Sequence, residues 1–118
     1  MATVSIEGTD LVVDIEGLDK LWAFKSRVTV PLQHVRGAHA DPNVLAEPKG
    51  WRGPGSNVPG VIVAGTYHQD GNRILWDVHN GKKAVVIELH DETYQRLVIG
   101  VEDPNATVAL VEAALKRL

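Results

Sequence analysis

Five histidines, His34, His39, His68, His79 and His90, are the side chains of this 118-residue chain best suited to moving a proton or holding a metal. Their spacing matches no HExxH or comparable ligand motif, and with no cysteine present a metal site would have to rest on His and carboxylate alone. Surface or structural histidines are therefore the first reading, and neither a metal nor any other cofactor is expected. Asp77 lies two residues from His79, so on a strand the pair shares a face and could act in acid–base chemistry. The simpler reading of the same alternation is the solvated outer face of an antiparallel sheet. Asp91 and Glu92 beside His90 read as a turn. His34 and His39 stay open.

The run Trp51-Arg52-Gly53-Pro54-Gly55-Ser56-Asn57 is glycine-rich but is neither a phosphate loop nor a nucleophile elbow, because no Lys-Ser/Thr end and no helix follow it. A glycine-rich connector is expected, and no catalytic residue is assigned. Trp51 and Arg52 belong to the residue types enriched at binding hot spots, so Trp51, Arg52 and Asn57 are the candidate binding residues. The indole of Trp51 either folds back over the end of the sheet or stays out as a partner contact.

Composition bounds what must position these residues. A chain of this length supports one core and buries roughly two-thirds of its unfolded surface, so residues 1–118 are expected to form a single domain. Twelve basic residues against fifteen acidic ones, for a net charge of −3, argue against nucleic acid as a partner. No apolar stretch approaches a membrane span, and the N-terminal run Met1-Ala2-Thr3-Val4-Ser5-Ile6-Glu7 has no secretory character, so a cytoplasmic location is the expectation.

Along the chain, Val4 and Ile6, a turn at Gly8-Thr9-Asp10, then Leu11, Val13 and Ile15 predict a hairpin. Leu18, Leu21, Trp22 and Phe24 sit at helical spacing and predict a short helix. Val28 and Val30 resume a strand, Pro31 interrupts it, and Val35 to His39 form another with a bulge at Gly37. Residues 41–60 hold four prolines and four glycines and are expected to be a long loop without regular structure. Val61, Val63, Gly65 and Tyr67 then pair with Ile74, Trp76 and Val78, placing Gly65 opposite Trp76 and His68 opposite Arg73. Asn80-Gly81 predicts a tight turn that pairs His79 with Lys82 and brings Val85 opposite Trp76 and Ile87 opposite Ile74. A turn at Asp91-Glu92-Thr93 leads to a last strand through Leu97, Ile99 and Val101.

Residues 103–118 predict a helix, with Asp103 as N-cap and Pro104 in the first turn. Its stripe of Val108, Val111, Leu115 and Leu118 should dock on the sheet face carrying Trp76, Ile87 and Ile99, and Leu110 lies off that stripe. The fold class is thus mainly β plus a C-terminal α-helix: about seven strands in a strongly bent antiparallel sheet or partly open barrel, capped by the helix.

This order of elements resembles the pleckstrin-homology-like (PH-like) fold. The chain is similar to small bacterial proteins of that fold in Leu21-Trp22-Ala23-Phe24, Val30-Pro31-Leu32-Gln33-His34-Val35, Val58 to Tyr67, Leu75-Trp76-Asp77-Val78 and Asp103 to Val108. The resemblance implies binding of phosphoinositides, peptides or proteins. Phosphoinositide-binding members carry basic residues in the first strand-to-strand loop, whereas Glu7-Gly8-Thr9-Asp10 is acidic here, so lipid binding is not carried over.

The expected function is a non-catalytic interaction or ligand-binding module for a protein or small ligand, with residues 41–60 as its recognition surface. A self-assembling unit joined through sheet edges is the alternative. An enzyme using Asp77 and a histidine comes third.

Overall fold

A computed structural model describes residues 2–16, 25–42, 51–58, 62–69, 72–78 and 83–118. The predicted helix over Leu18 to Phe24 and the turn at Asn80-Gly81 lie outside the described residues, as does His79. Among the described residues the chain forms β1 (Ala2–Glu7), β2 (Asp10–Glu16), β3 (Lys25–Pro31), a 3-10 turn (Leu32–His34), β4 (Val35–Ala40), β5 (Trp51–Val58), β6 (Ile62–Gln69), β7 (Asn72–Val78), β8 (Ala84–Leu89), β9 (Arg96–Gly100) and α1 (Pro104–Lys116). The class is the expected one, mainly β with a C-terminal helix. The nine strands among the described residues are divided between a three-stranded sheet in the order β1-β2-β3 and a six-stranded sheet in the order β4-β8-β9-β7-β6-β5.

Local chemistry accounts for the first sheet. Glu7 pairs with Asp10 across a two-residue loop, and Gly8 takes a φ of +63°, the left-handed region that glycine enters without a Cβ penalty. β3 continues the meander, and Pro31 ends it at the 3-10 turn, where the Leu32 N–H bonds the Thr9 carbonyl. The chain then crosses to the other sheet as β4. The predicted irregularity near Gly37 is present: the β4–β8 register shifts between Val35 and Gly37, leaving Arg36 as the extra residue.

The β6–β7 hairpin has the predicted register, with Val63 opposite Val78, Gly65 opposite Trp76, Tyr67 opposite Ile74 and His68 opposite Arg73. The predicted β7–β8 pairing is overturned. β9 lies between those two strands, parallel to β7 and antiparallel to β8, so Trp76 meets Val98 and through it Val86, not Val85. One residue of offset reverses the faces. Trp76 therefore packs with Ile74, Val78, Ala84, Val86 and Val98, while Val85, Ile87, Leu97 and Ile99 point to the opposite side. There they form the larger core with Leu11, Val13 and Val30 of the three-stranded sheet and with Val111 and Ala114 of α1. The helix docks on the face carrying Ile87 and Ile99, as expected, but Trp76, expected on that same face, lies on the opposite one. Strands buried on both faces carry unbroken apolar runs, as Ala84-Val85-Val86-Ile87 and Leu97-Val98-Ile99 do.

Eight of the twenty residues of the predicted loop over 41–60 are also strand, since β5 pairs with β6 from Trp51 to Val58. Its ladder shifts between Arg52 and Gly55, leaving one extra residue on β5. Pro54, which has no N–H to give a ladder, sits inside that irregularity on an edge strand, the setting where a sheet tolerates proline. Of the remaining loop positions, 43–50, 59 and 60 lie outside the described residues.

α1 begins as predicted. The Asp103 carboxylate accepts the Ala106 N–H at 3.1 Å, and Pro104 occupies the first turn. Val111 and Ala114 are buried, Val108 and Leu115 pack partly against the core, and Leu118, placed on the stripe from its spacing, lies past the last helical turn and is 62% exposed. Glu112 leaves the helix toward β4, where its Oε1 accepts the Ala38 N–H at 3.2 Å. The helix thus closes the β4 edge of the six-stranded sheet.

Candidate functional site

Strand registers bring the chemistry-bearing residues to one end of the six-stranded sheet. Reading across the sheet from its β5 edge, Trp51 lies opposite His68, His68 opposite Arg73, and Arg96, at the start of β9, opposite both Ile74 and Glu88. Leu89, next to His90, then pairs with Val35, next to His34. Arg52 sits one position along from Trp51, opposite Tyr67. Asn57 falls near the other end of β5, opposite Val63. Of the three predicted binding residues, Trp51 and Arg52 therefore share this end and Asn57 does not. Their side chains lie outside the described residues.

At the far side of the same end, a polar cluster links the 3-10 turn to the β8–β9 connection. The His34 Nδ1 lies 2.5 Å from Glu92 Oε2, and the His34 carbonyl accepts the His90 N–H at 2.9 Å. The two imidazole centroids are 5.7 Å apart, tilted by 53°. His90 Nε2 is 2.9 Å from the Gln33 carbonyl, which can only accept, so that nitrogen carries a proton. His90 Nδ1 is 3.1 Å from Asp91 Oδ2. Asp91 itself has a φ of +57°, a left-handed conformation that Asp tolerates better than most residues.

Gln95 fastens this connection to the sheet. Its N–H bonds the Arg73 carbonyl at 2.9 Å, its Oε1 accepts the Arg73 N–H at 2.7 Å, and its Nε2 reaches the Glu92 carbonyl at 3.2 Å. The Arg73 side chain is exposed beside it. On one strand flank, Arg96 pairs with Glu88 at 2.8 Å.

Spacing along the chain does not reveal this cluster, because 58 residues separate His34 from Glu92. It exists because β4 pairs with β8 at Val35 and Leu89. Asp91, Glu92 and His90 do form the expected turn, but two of its side chains also reach the 3-10 turn through Glu92–His34 and His90–Gln33.

Chemically, His34 has the partner of an acid–base dyad, a carboxylate on Nδ1, yet no cluster of three or more metal-ligating groups exists among the described residues. Asp77 is corrected. It is 7% exposed and faces the larger core beside Leu75 and Ile99, not a solvated outer surface. Ala64 and Ile99 are its register neighbours, and the predicted partner His79 is outside the described residues. His39 is exposed on β4 and makes no contact with the His34 cluster.

Away from this end, Arg27 of β3 bonds Asp14 at 2.8 Å and lies 3.9 Å from Glu7. The hydrogen bond to Asp14 and the two negative charges push its pKa above an already high value, so the group stays cationic and titrates nothing. No helix among the described residues is long and apolar enough to cross a membrane. No family model matches the chain, no curated protein matches it, and no solved structure matches it.

Proposed function

We propose that the protein is a non-catalytic recognition module whose binding surface is the polar end of the six-stranded sheet, from Trp51 and Arg52 to the His34–Glu92 cluster. The observation that carries this reading is the register that aligns Trp51, His68 and Arg73 with the start of β9 and the end of β8. Size then selects the partner class. β5 and β8 are four strand spacings apart, about 19 Å at about 4.8 Å per strand, more than a small metabolite spans. An extended peptide covers that distance with about six residues at about 3.3 Å each. A protein segment therefore fits better than a small ligand.

Mainly β architecture followed by a C-terminal helix also supports the PH-like resemblance as part of this proposal, and the parallel β7–β9 pair is a departure from an all-antiparallel arrangement. Edge-to-edge assembly has less support. α1 covers β4, and a bulge containing Pro54 interrupts β5, both of which are ways of blunting an exposed edge.

Peptides selected from a random displayed library, with binding measured by calorimetry, test the reading. Trp51→Ala and Arg52→Ala are each expected to weaken the selected peptides at least about tenfold, as hot-spot truncations do. His34→Ala should weaken long peptides more than short ones. Binders indifferent to all three substitutions would refute the assignment.

A further inference from the structure

We infer that the outer face of α1 pairs with the same face of a second copy of this chain, the two helices running antiparallel. The only large hydrophobic side chains exposed among the described residues, Leu110 and Leu118, both belong to the helical end of the chain. Leu110, 38% exposed, stands at the middle of α1 with Ala106, Ala109 and Ala113 exposed around it. At about 100° per residue these four fall within an arc of about 100°, opposite the buried Val111 and the half-buried Val108 and Leu115. Between Pro104 and Leu115 the one charged residue is Glu112, and it is turned to β4. The outward face of this surface helix is therefore apolar along its length.

Charge chooses the occupant. Exposed Glu102 and Asp103 precede this face and exposed Lys116 and Arg117 follow it. A two-fold axis between positions 109 and 110 sets Ala106 against the partner's Ala113 and Ala109 against the partner's Leu110. The same axis sets Asp103 against the partner's Lys116 and Glu102 against the partner's Arg117. Each contact occurs twice, as an isologous interface requires. A parallel pair would instead set like charge on like charge. Glu102 is 81% exposed, and its contact with Lys83 is long at 3.8 Å, which leaves it able to turn outward. The alanines allow helix axes to approach to the short end of the usual range of about 8–10 Å.

The patch is about 20 Å long and about 10 Å wide, well below the roughly 800 Å² per partner of a stable complex. The association is accordingly weak and concentration-dependent, and it is independent of the sheet-end proposal.

Sedimentation equilibrium from micromolar to millimolar concentration provides the test. The wild-type chain should pass from monomer to dimer. Leu110→Glu, with an unchanged thermal midpoint, should weaken dimerisation at least tenfold. Arg117→Glu should weaken it several-fold, and adding Glu102→Arg should restore it, a rescue only the antiparallel arrangement produces. Because the chain has no cysteine, Ala109→Cys under mild oxidant should give a covalent dimer and Thr93→Cys, in the β8–β9 connection outside the helix face, should not. That cross-link decides the matter should Leu110→Glu fail to fold. A monomer at every concentration overturns the inference. So does a dimer insensitive to Leu110→Glu, a double variant no tighter than Arg117→Glu, or equal cross-linking at both positions.

Discussion

The two ends of the six-stranded sheet differ in chemistry although the same strands build both. One end carries Trp51, His68, Arg73, Gln95, His90 and His34, with Glu92 and Asp91 in the adjoining turn. At the other, Val58 pairs with Ile62, Val63 with Val78, and Ala84 with Gly100. Val78 and Ala84 there are buried, and Ile99, one residue inside, is fully so. Burial of apolar side chains stabilises the fold without leaving groups to recognise a partner. Exposed or half-buried polar groups held by backbone contacts do the reverse. On the proposed reading, one end holds the molecule together and the other is the recognition surface.

Substitutions can break or sharpen this contrast, and the largest effect is expected at the apolar end. Ile99→Ala should cost about 2–5 kcal/mol in urea unfolding, because it opens a cavity between the sheets. Peptide affinity of the folded fraction should not change. Glu112→Ala removes the acceptor of the Ala38 N–H and should cost about 1–3 kcal/mol, with faster amide exchange at Ala38. Glu112→Gln, which keeps an acceptor oxygen, should recover most of that. Asp103→Ala should cost about 1 kcal/mol through the lost N-cap, and Asp103→Asn much less, as thermal unfolding would show. At the polar end, Glu92→Ala should change stability by no more than about 1 kcal/mol, since the His34 pair is partly solvated. A large loss of stability from Glu92→Ala, or a large loss of peptide affinity from Ile99→Ala, would erase the distinction between the ends.

Much of the fold is legible where neighbouring strands are consecutive in sequence. The register of Gly65 with Trp76 follows from alternation and a short turn, and the start of α1 follows from Asp103-Pro104. Pairings that skip a strand are less accessible. The insertion of β9 between β7 and β8 is a long-range choice that Asn80-Gly81 does not encode, and the error it introduced shifted Trp76 to the wrong face. A signal was present, however, in the unbroken apolar runs of β8 and β9, which mark strands covered on both sides. Proline and glycine misled the reading of β5 because an edge strand with a bulge accommodates both. At the candidate site, Trp51 and Arg52 stood out by type, whereas the His34–Glu92 pair depends on strand pairing across 58 residues and has no local pattern.

The claim that the polar end is the recognition surface is tested most directly by backbone amide shifts of the labelled protein titrated with a selected peptide. The largest perturbations are expected at Trp51, Arg52, His68, Arg73, Gln95 and His34, with Val58, Val78, Ala84 and Ala40 unmoved. Perturbations centred on those last four residues would contradict it.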